Sequence, residues 1–164
     1  TVKGRAMLFE GRNLWIHIPK TRRPIRISPA QRLMGESSNG DVAATNFSED
    51  YVAALLGEET IGTTLCYHLM LKAVDRKITY HKIEYWVDKK TGKPVKSSHF
   101  AISGKLLKTA YYKAFITSEG QEKLHRLLLV NPILEGHHTL MIYNQYKKEK
   151  MEDSLFRKEN LNRL

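Results

Sequence analysis

Leu65-Cys66-Tyr67-His68-Leu69-Met70-Leu71-Lys72 sets Leu65, Tyr67, Leu69 and Leu71 against Cys66, His68, Met70 and Lys72. A period of two sends successive side chains to opposite faces of an extended chain, so this stretch reads as a strand. The same period recurs on both sides of it. Upstream, Leu14, Ile16 and Ile18 alternate with Trp15 and His17; downstream, Ile83, Tyr85 and Val87 oppose Lys82, Glu84, Trp86 and Asp88. Leu124, Arg126, Leu128 and Val130 then alternate with His125, Leu127, Leu129 and Asn131, and a last window runs through His138, Leu140, Ile142, Asn144 and Tyr146.

The punctuation between these windows is hairpin chemistry. Glu10-Gly11-Arg12-Asn13, Lys89-Lys90-Thr91-Gly92 and Ser103-Gly104 each supply a residue that tolerates positive φ between two extended runs. Connections this short join neighbouring strands, which predicts an antiparallel meander. Pro94 falls at the start of its run, where a missing ladder donor costs little. One segment reads as a helix. Ser48 is a capping residue, Glu49 and Asp50 suit the positive end of the dipole, Tyr51, Val52, Leu55 and Leu56 form a stripe, and Gly57 stops it.

Several strands are apolar on both faces: Leu127 and Leu129 as well as Leu128 and Val130, Trp15 as well as Leu14 and Ile16. A sheet with one solvated face alternates more cleanly. The second face therefore needs a cover: further chain, a second protomer or an apolar ligand.

The chain has 164 residues with 41% hydrophobic and 27% charged side chains, ordinary for a globular domain and too apolar for disorder. No apolar run approaches the roughly 18 residues of a membrane-spanning helix, and a single cysteine, Cys66, excludes a disulfide framework. The formal charge is +10 and unevenly spread. Residues 1–35 carry eight basic side chains and one acidic, whereas residues 36–75 carry seven acidic and one basic. Such an excess invites an anionic surface or an acidic protein. Nucleic acid is a poor fit, because the cations alternate with strand-forming residues and no recognition motif is present.

Catalytic constellations are weak. Cys66 and His68 point the same way on a strand and could mimic a thiol–imidazole pair, but a small buried hydrophobe beside an ordinary histidine explains them better. The seven histidines lack metal-ligand spacing, and adjacent His137 and His138 face opposite sides of a strand. Lys90-Thr91-Gly92-Lys93 lacks the spacing of a phosphate loop. These readings predict no enzyme, no cofactor and no metal.

Trp15-Ile16-His17-Ile18-Pro19, Arg22-Arg23-Pro24-Ile25-Arg26-Ile27 and Gln31-Arg32-Leu33-Met34-Gly35 together resemble the bacterial outer-membrane lipoprotein-sorting family, typified by LolA. More specifically they are similar to its uncharacterised periplasmic LolA-like branch. The resemblance continues through Gly40-Asp41-Val42-Ala43, Asn46-Phe47-Ser48, Tyr85-Trp86-Val87-Asp88, Thr91-Gly92-Lys93-Pro94, Gly104-Lys105-Leu106-Leu107-Lys108-Thr109 and Phe156-Arg157-Lys158-Glu159-Asn160-Leu161.

The resemblance implies a mainly β fold: a curved antiparallel sheet forming an open, unclosed β-barrel, with helices on its concave side and one short helix in this chain. It implies a signal peptide, a helix and strands ahead of the Trp15 region, so residues 1–164 read as a single LolA-like domain lacking those parts. Position 17, where an aromatic often sits, is His. The implied function is a periplasmic carrier that holds lipid or lipoprotein acyl chains in an apolar cavity. Trp15, Met34, Phe47, Tyr51, Leu69 and Tyr85 are the candidates for the apolar wall, and Arg22, Arg23, Arg26 and Arg32 for a basic rim. Implied partners are an envelope transport or receptor protein, peripheral contact with a membrane, and a second copy of the chain if the upstream part is absent. The alternative is a regulatory or interaction domain of the same fold that docks an envelope complex through its basic surface.

Overall fold

The structure, a computed structural model, describes residues 6–19, 21, 23–28, 31, 45–132 and 137–163. Strands β1 (Ala6–Glu10), β2 (Asn13–His17) and β3 (Ile25–Ile27) form a three-stranded antiparallel sheet. A short helix, α1 (Phe47–Asp50), precedes β4 (Tyr51–Ile61), β5 (Thr64–Ala73), β6 (Lys82–Asp88), β7 (Pro94–Phe100), β8 (Leu106–Ser118), β9 (Gln121–Val130) and β10 (His138–Ile142). These seven strands make one sheet in the order β10-β9-β8-β7-β6-β5-β4. Each strand pairs with its sequence neighbour, which is the expected meander, and β4 and β10 do not pair, so the sheet is not closed. Two 3₁₀ helices, Asp153–Phe156 and Lys158–Arg163, follow.

The chain gathers into two compact units, Thr1–Gly35 with Lys147–Leu164, and Glu36–Tyr146. In the first, Leu8 and Trp15 share one face of the small sheet by register, and the second 3₁₀ helix lays Lys158 over the Trp15 ring at 5.1 Å. Leu8, Leu14 and Leu161 are its buried apolar side chains. The β1–β2 hairpin turns at Gly11, φ +56°, as its Gly-Arg-Asn sequence requires.

In the second unit the alternations expected around Leu65–Lys72, Lys82–Asp88 and Leu124–Val130 fall on strands. Ile83, Tyr85 and Val87 pair across to Leu71, Leu69 and Tyr67, and Trp86 pairs with His68. The sheet therefore has a Tyr85 face and, opposite it, a Trp86 face. Ile83, His99, Ala110, Leu127 and Leu129 are buried on the Tyr85 face, and the segment after β5 lies against it: Ile78 and Tyr80 are buried, and the Tyr80 ring meets that of His99 edge-on at 4.7 Å. The β6–β7 turn is held by Asp88, whose carboxylate accepts from the Lys90 and Thr91 amides and the Thr91 hydroxyl, with Gly92 at φ +71°.

Two expectations need correction. The helix expected from Ser48 to Gly57 ends at Asp50; Asn46, not Ser48, caps it by accepting from the Glu49 amide, and Tyr51–Ile61 is strand β4. Ladder pairing with β5 overrides the helical spacing, and Gly57, at φ +149°, marks a bulge instead of a helix stop. The last window stops at Ile142, short of Tyr146.

Candidate functional site

Pairing brings one residue from each of the seven strands into a line across the Tyr85 face: Leu55, Leu69, Tyr85, Ser97, Ala110, Leu129 and Thr139. An aromatic cluster is built over its middle. Helix α1 ends one residue before β4, which sets Phe47 5.0 Å from the Tyr85 ring and 6.2 Å from that of Tyr51. Tyr112, two positions beyond Ala110 and therefore on the same face, meets Tyr85 edge-on at 6.0 Å and 83°.

Beneath the rings runs a polar chain. The Tyr85 hydroxyl bonds to that of Tyr112, the Tyr112 hydroxyl lies 3.3 Å from Ser97 Oγ, and Ser97 Oγ lies 2.9 Å from His99 Nε2. The Tyr51 hydroxyl donates to the Tyr80 carbonyl at 2.9 Å. Burial raises the pKa of all three phenols; the neighbouring Asp50 carboxylate adds to it at Tyr51, and Tyr112 adds to it at Tyr85. His99 is driven the other way, from 6.5 down to about 3, by burial and then by the Lys108 ammonium, its cross-strand partner. These tyrosines and His99 are therefore polar but uncharged at neutral pH.

The cluster opens toward the β4–β5 end of the face. Leu55 (62% exposed) and Leu65 present apolar surface there, beside half-buried Leu69 and Val87, and Tyr67 borders it with Lys89 over its ring at 5.4 Å. Exposed apolar side chains contiguous with an aromatic cluster mark a binding surface more than a finished core.

Of the expected wall residues, Phe47, Tyr51, Leu69 and Tyr85 are therefore brought together. Trp15 sits on the small sheet, half-buried and cross-strand to Arg26, with its indole nitrogen buried and without a hydrogen-bond partner among the described residues. Arg23 and Arg26 are exposed. Met34, Arg22 and Arg32 lie outside the described residues. Periodicity alone does not single out Tyr80, Tyr112, Ser97 or His99; the polar run Ser97-Ser98-His99 inside a strand is the sequence signal for the last two.

The opposite face is organised differently. The Trp86 ring stacks on His68 at 4.4 Å and 10°, its indole N–H donates to Glu59 at 2.7 Å, and Lys96 covers it at 4.3 Å. His68 also faces Glu59 at 3.5 Å and Glu84 at 3.8 Å. Cys66 is buried on this face with its thiol donating to the Thr64 carbonyl, and burial, aided by Asp88 and Glu59, pushes the thiol pKa up. A reactive cysteine needs the reverse shift, so Cys66 and His68 do not form an activated pair. Among the described residues no group of three His, Cys, Asp or Glu could hold a metal ion.

An unclosed antiparallel meander with a short helix is the fold that this chain shares with solved LolA superfamily structures. A LolA superfamily protein from Nitrosomonas europaea matches 96% of this chain and 71% of its own length at 36% identity, with a TM-score of 0.82. The chain belongs to the LolA superfamily. Residues 1–163 also match a family model described only as "Uncharacterized protein". A DUF1329 family protein from Desulfovibrio piger shares the fold at TM-score 0.78 and 21% identity, covering 98% of this chain and 72% of that one. A candidate outer membrane lipoprotein-sorting domain from Vibrio parahaemolyticus does so at 0.73 and 19%, covering 92% and 66%. None of the curated proteins matches the sequence.

Proposed function

We propose that the chain is a non-enzymatic periplasmic carrier that holds the acyl chains of a lipid or lipoprotein against the Tyr85 face. The observation that carries this reading is the continuity between the Phe47–Tyr51–Tyr85–Tyr112 cluster and the exposed Leu55, Leu65 and Tyr67. Each methylene removed from water contributes about 0.8 kcal/mol, so a chain of about a dozen carbons supplies ~10 kcal/mol before the costs of association. A neutral cluster suits such a guest, because a charge facing hydrocarbon would have to be desolvated without compensation. The superfamily membership and the lipoprotein-sorting domain among its structural neighbours support both the cargo class and the periplasmic location.

In this reading the chain works as a LolA-like domain whose acyl site is the Tyr85 face, and exposed Arg23 and Arg26 on the small sheet offer cations to an anionic surface. The test is displacement of a fluorescent fatty acid. Tight binding by the wild-type chain, weakened tenfold or more by Leu69→Asp and by Tyr85→Ala, supports the carrier. Absence of binding at micromolar protein, or binding indifferent to both substitutions, overturns it.

A further inference from the structure

A second line of residues crosses the same sheet on its other face: His68, Trp86, Lys96, Tyr111, Leu128 and Leu140, one from each strand from β5 to β10. Its first half is closed on itself, since Trp86 is buried between His68 and Lys96. Its second half is open. Leu140 and its neighbour Ile142 are 51% and 52% exposed, and Tyr111 and Leu128 are half-buried beside them. Arg126 pairs directly across from Ile142, and Lys113 reaches back over the Tyr111 ring at 5.1 Å; both cations are exposed.

The charge on this patch is not compensated from within. Glu122, the acid that shares the face along β9, is engaged by Lys93 at 2.6 Å. Neither Lys113 nor Arg126 has a carboxylate within ion-pair distance among the described residues. The composition is also informative, because the patch consists of branched aliphatics, a tyrosine and long cations, bordered by exposed His138 and Asn144. That combination fits the boundary of a bilayer, where aliphatic tips enter the acyl region, a phenol sits at head-group level, and long cationic stems keep their charge among phosphates.

We propose that the Tyr111–Leu128–Leu140–Ile142 patch, with Lys113 and Arg126, docks the protein on an anionic phospholipid surface. This stands apart from acyl binding on the Tyr85 face, and one can fail without the other.

The experiment is co-sedimentation of the full chain with phosphatidylcholine vesicles, plain or doped with phosphatidylglycerol, without free fatty acid. The wild-type chain should partition onto the doped vesicles only and be released by high salt. Lys113→Gln and Arg126→Gln should each lower the partition coefficient about fivefold, the effect of one cation near an anionic surface. Leu140→Ser with Ile142→Ser should weaken binding while leaving its salt dependence in place. Lys90→Gln, in the turn of the β6–β7 hairpin, should change nothing, and circular dichroism reports that each variant is folded. Equal binding to both vesicle types, no binding to doped vesicles, or binding that these patch variants leave unaltered overturns the proposal. So does retention on immobilised polyglutamate without vesicle binding, which assigns the patch to an acidic protein.

Discussion

The indole N–H of Trp86 donates to the carboxylate of Glu59 at 2.7 Å, reaching from β6 over β5 to β4. It ties the edge strand β4 to the sheet interior by something beyond its ladder with β5. Glu59 is 48% exposed, so the bond is partly screened and its net contribution is modest. Trp86→Phe keeps the stack on His68 and removes the donor; it should lower stability by about 1 kcal/mol, seen as a fall of ~2–4 °C in Tm. Glu59→Gln keeps an acceptor and should cost less than half of that in the same thermal unfolding measurement.

Stability below neutrality should report on His99. In the folded chain its imidazole stays neutral down to about pH 3, whereas in the unfolded chain it takes up a proton near 6.5. Between those values the unfolded state binds more protons, so this contribution is complete above pH 6.5 and is lost progressively as pH falls toward 3. The limiting slope for one such group is about 1.4 kcal/mol per pH unit. Urea unfolding midpoints measured across this window should fall more steeply for the wild-type chain than for His99→Gln. Parallel pH profiles for the two proteins would refute the assignment.

The strands are legible in the sequence because their alternation is tied to burial. At Ile83–Val87 each odd position faces the Tyr85 side and each even one the Trp86 side, and both sides carry partners that fix the register. Strand β4 is illegible for the opposite reason. As an edge strand it leaves Val52, Leu55 and Leu56 exposed, so apolar character does not mark an inside there. The bulge between Leu55 and Gly57 then shifts the phase, and the spacing mimics a helical stripe. Half of the candidate site is visible from the sequence because Phe47, Tyr51, Leu69 and Tyr85 are apolar or aromatic, whatever element carries them. Ser97, His99 and Tyr112 are not, because a polar side chain inside a strand declares neither which face it takes nor whom it bonds.

The hydroxyl chain under the aromatic cluster should respond unequally to shortening. Tyr112 is its middle member, linking Tyr85 to Ser97, so Tyr112→Phe takes the partner from the Tyr85 hydroxyl and one of two from Ser97, which keeps His99. Its cost should be about 1–2 kcal/mol, since buried polar groups deprived of a bond lose their solvation as well. Tyr85→Phe trims only the outer end and should cost less. Denaturant unfolding of both variants gives the comparison, and equal losses would mean that the chain does not act as a connected unit.

Gly57→Ala tests the bulge in β4. A glycine that ends a helix holds the left-handed cap, where alanine costs about 1 kcal/mol. In the bulge the backbone sits at φ +149°, a region L side chains avoid, while an added Cβ would meet nothing within 4 Å. The cost of Gly57→Ala is therefore purely conformational, about 1–3 kcal/mol of backbone strain, with no steric clash to relieve by trimming neighbours. A second substitution at the cross-strand residue His68 should not restore it. Thermal unfolding that shows Gly57→Ala as stable as the wild-type chain would remove the bulge, and with it the register of everything in β4 beyond Leu55.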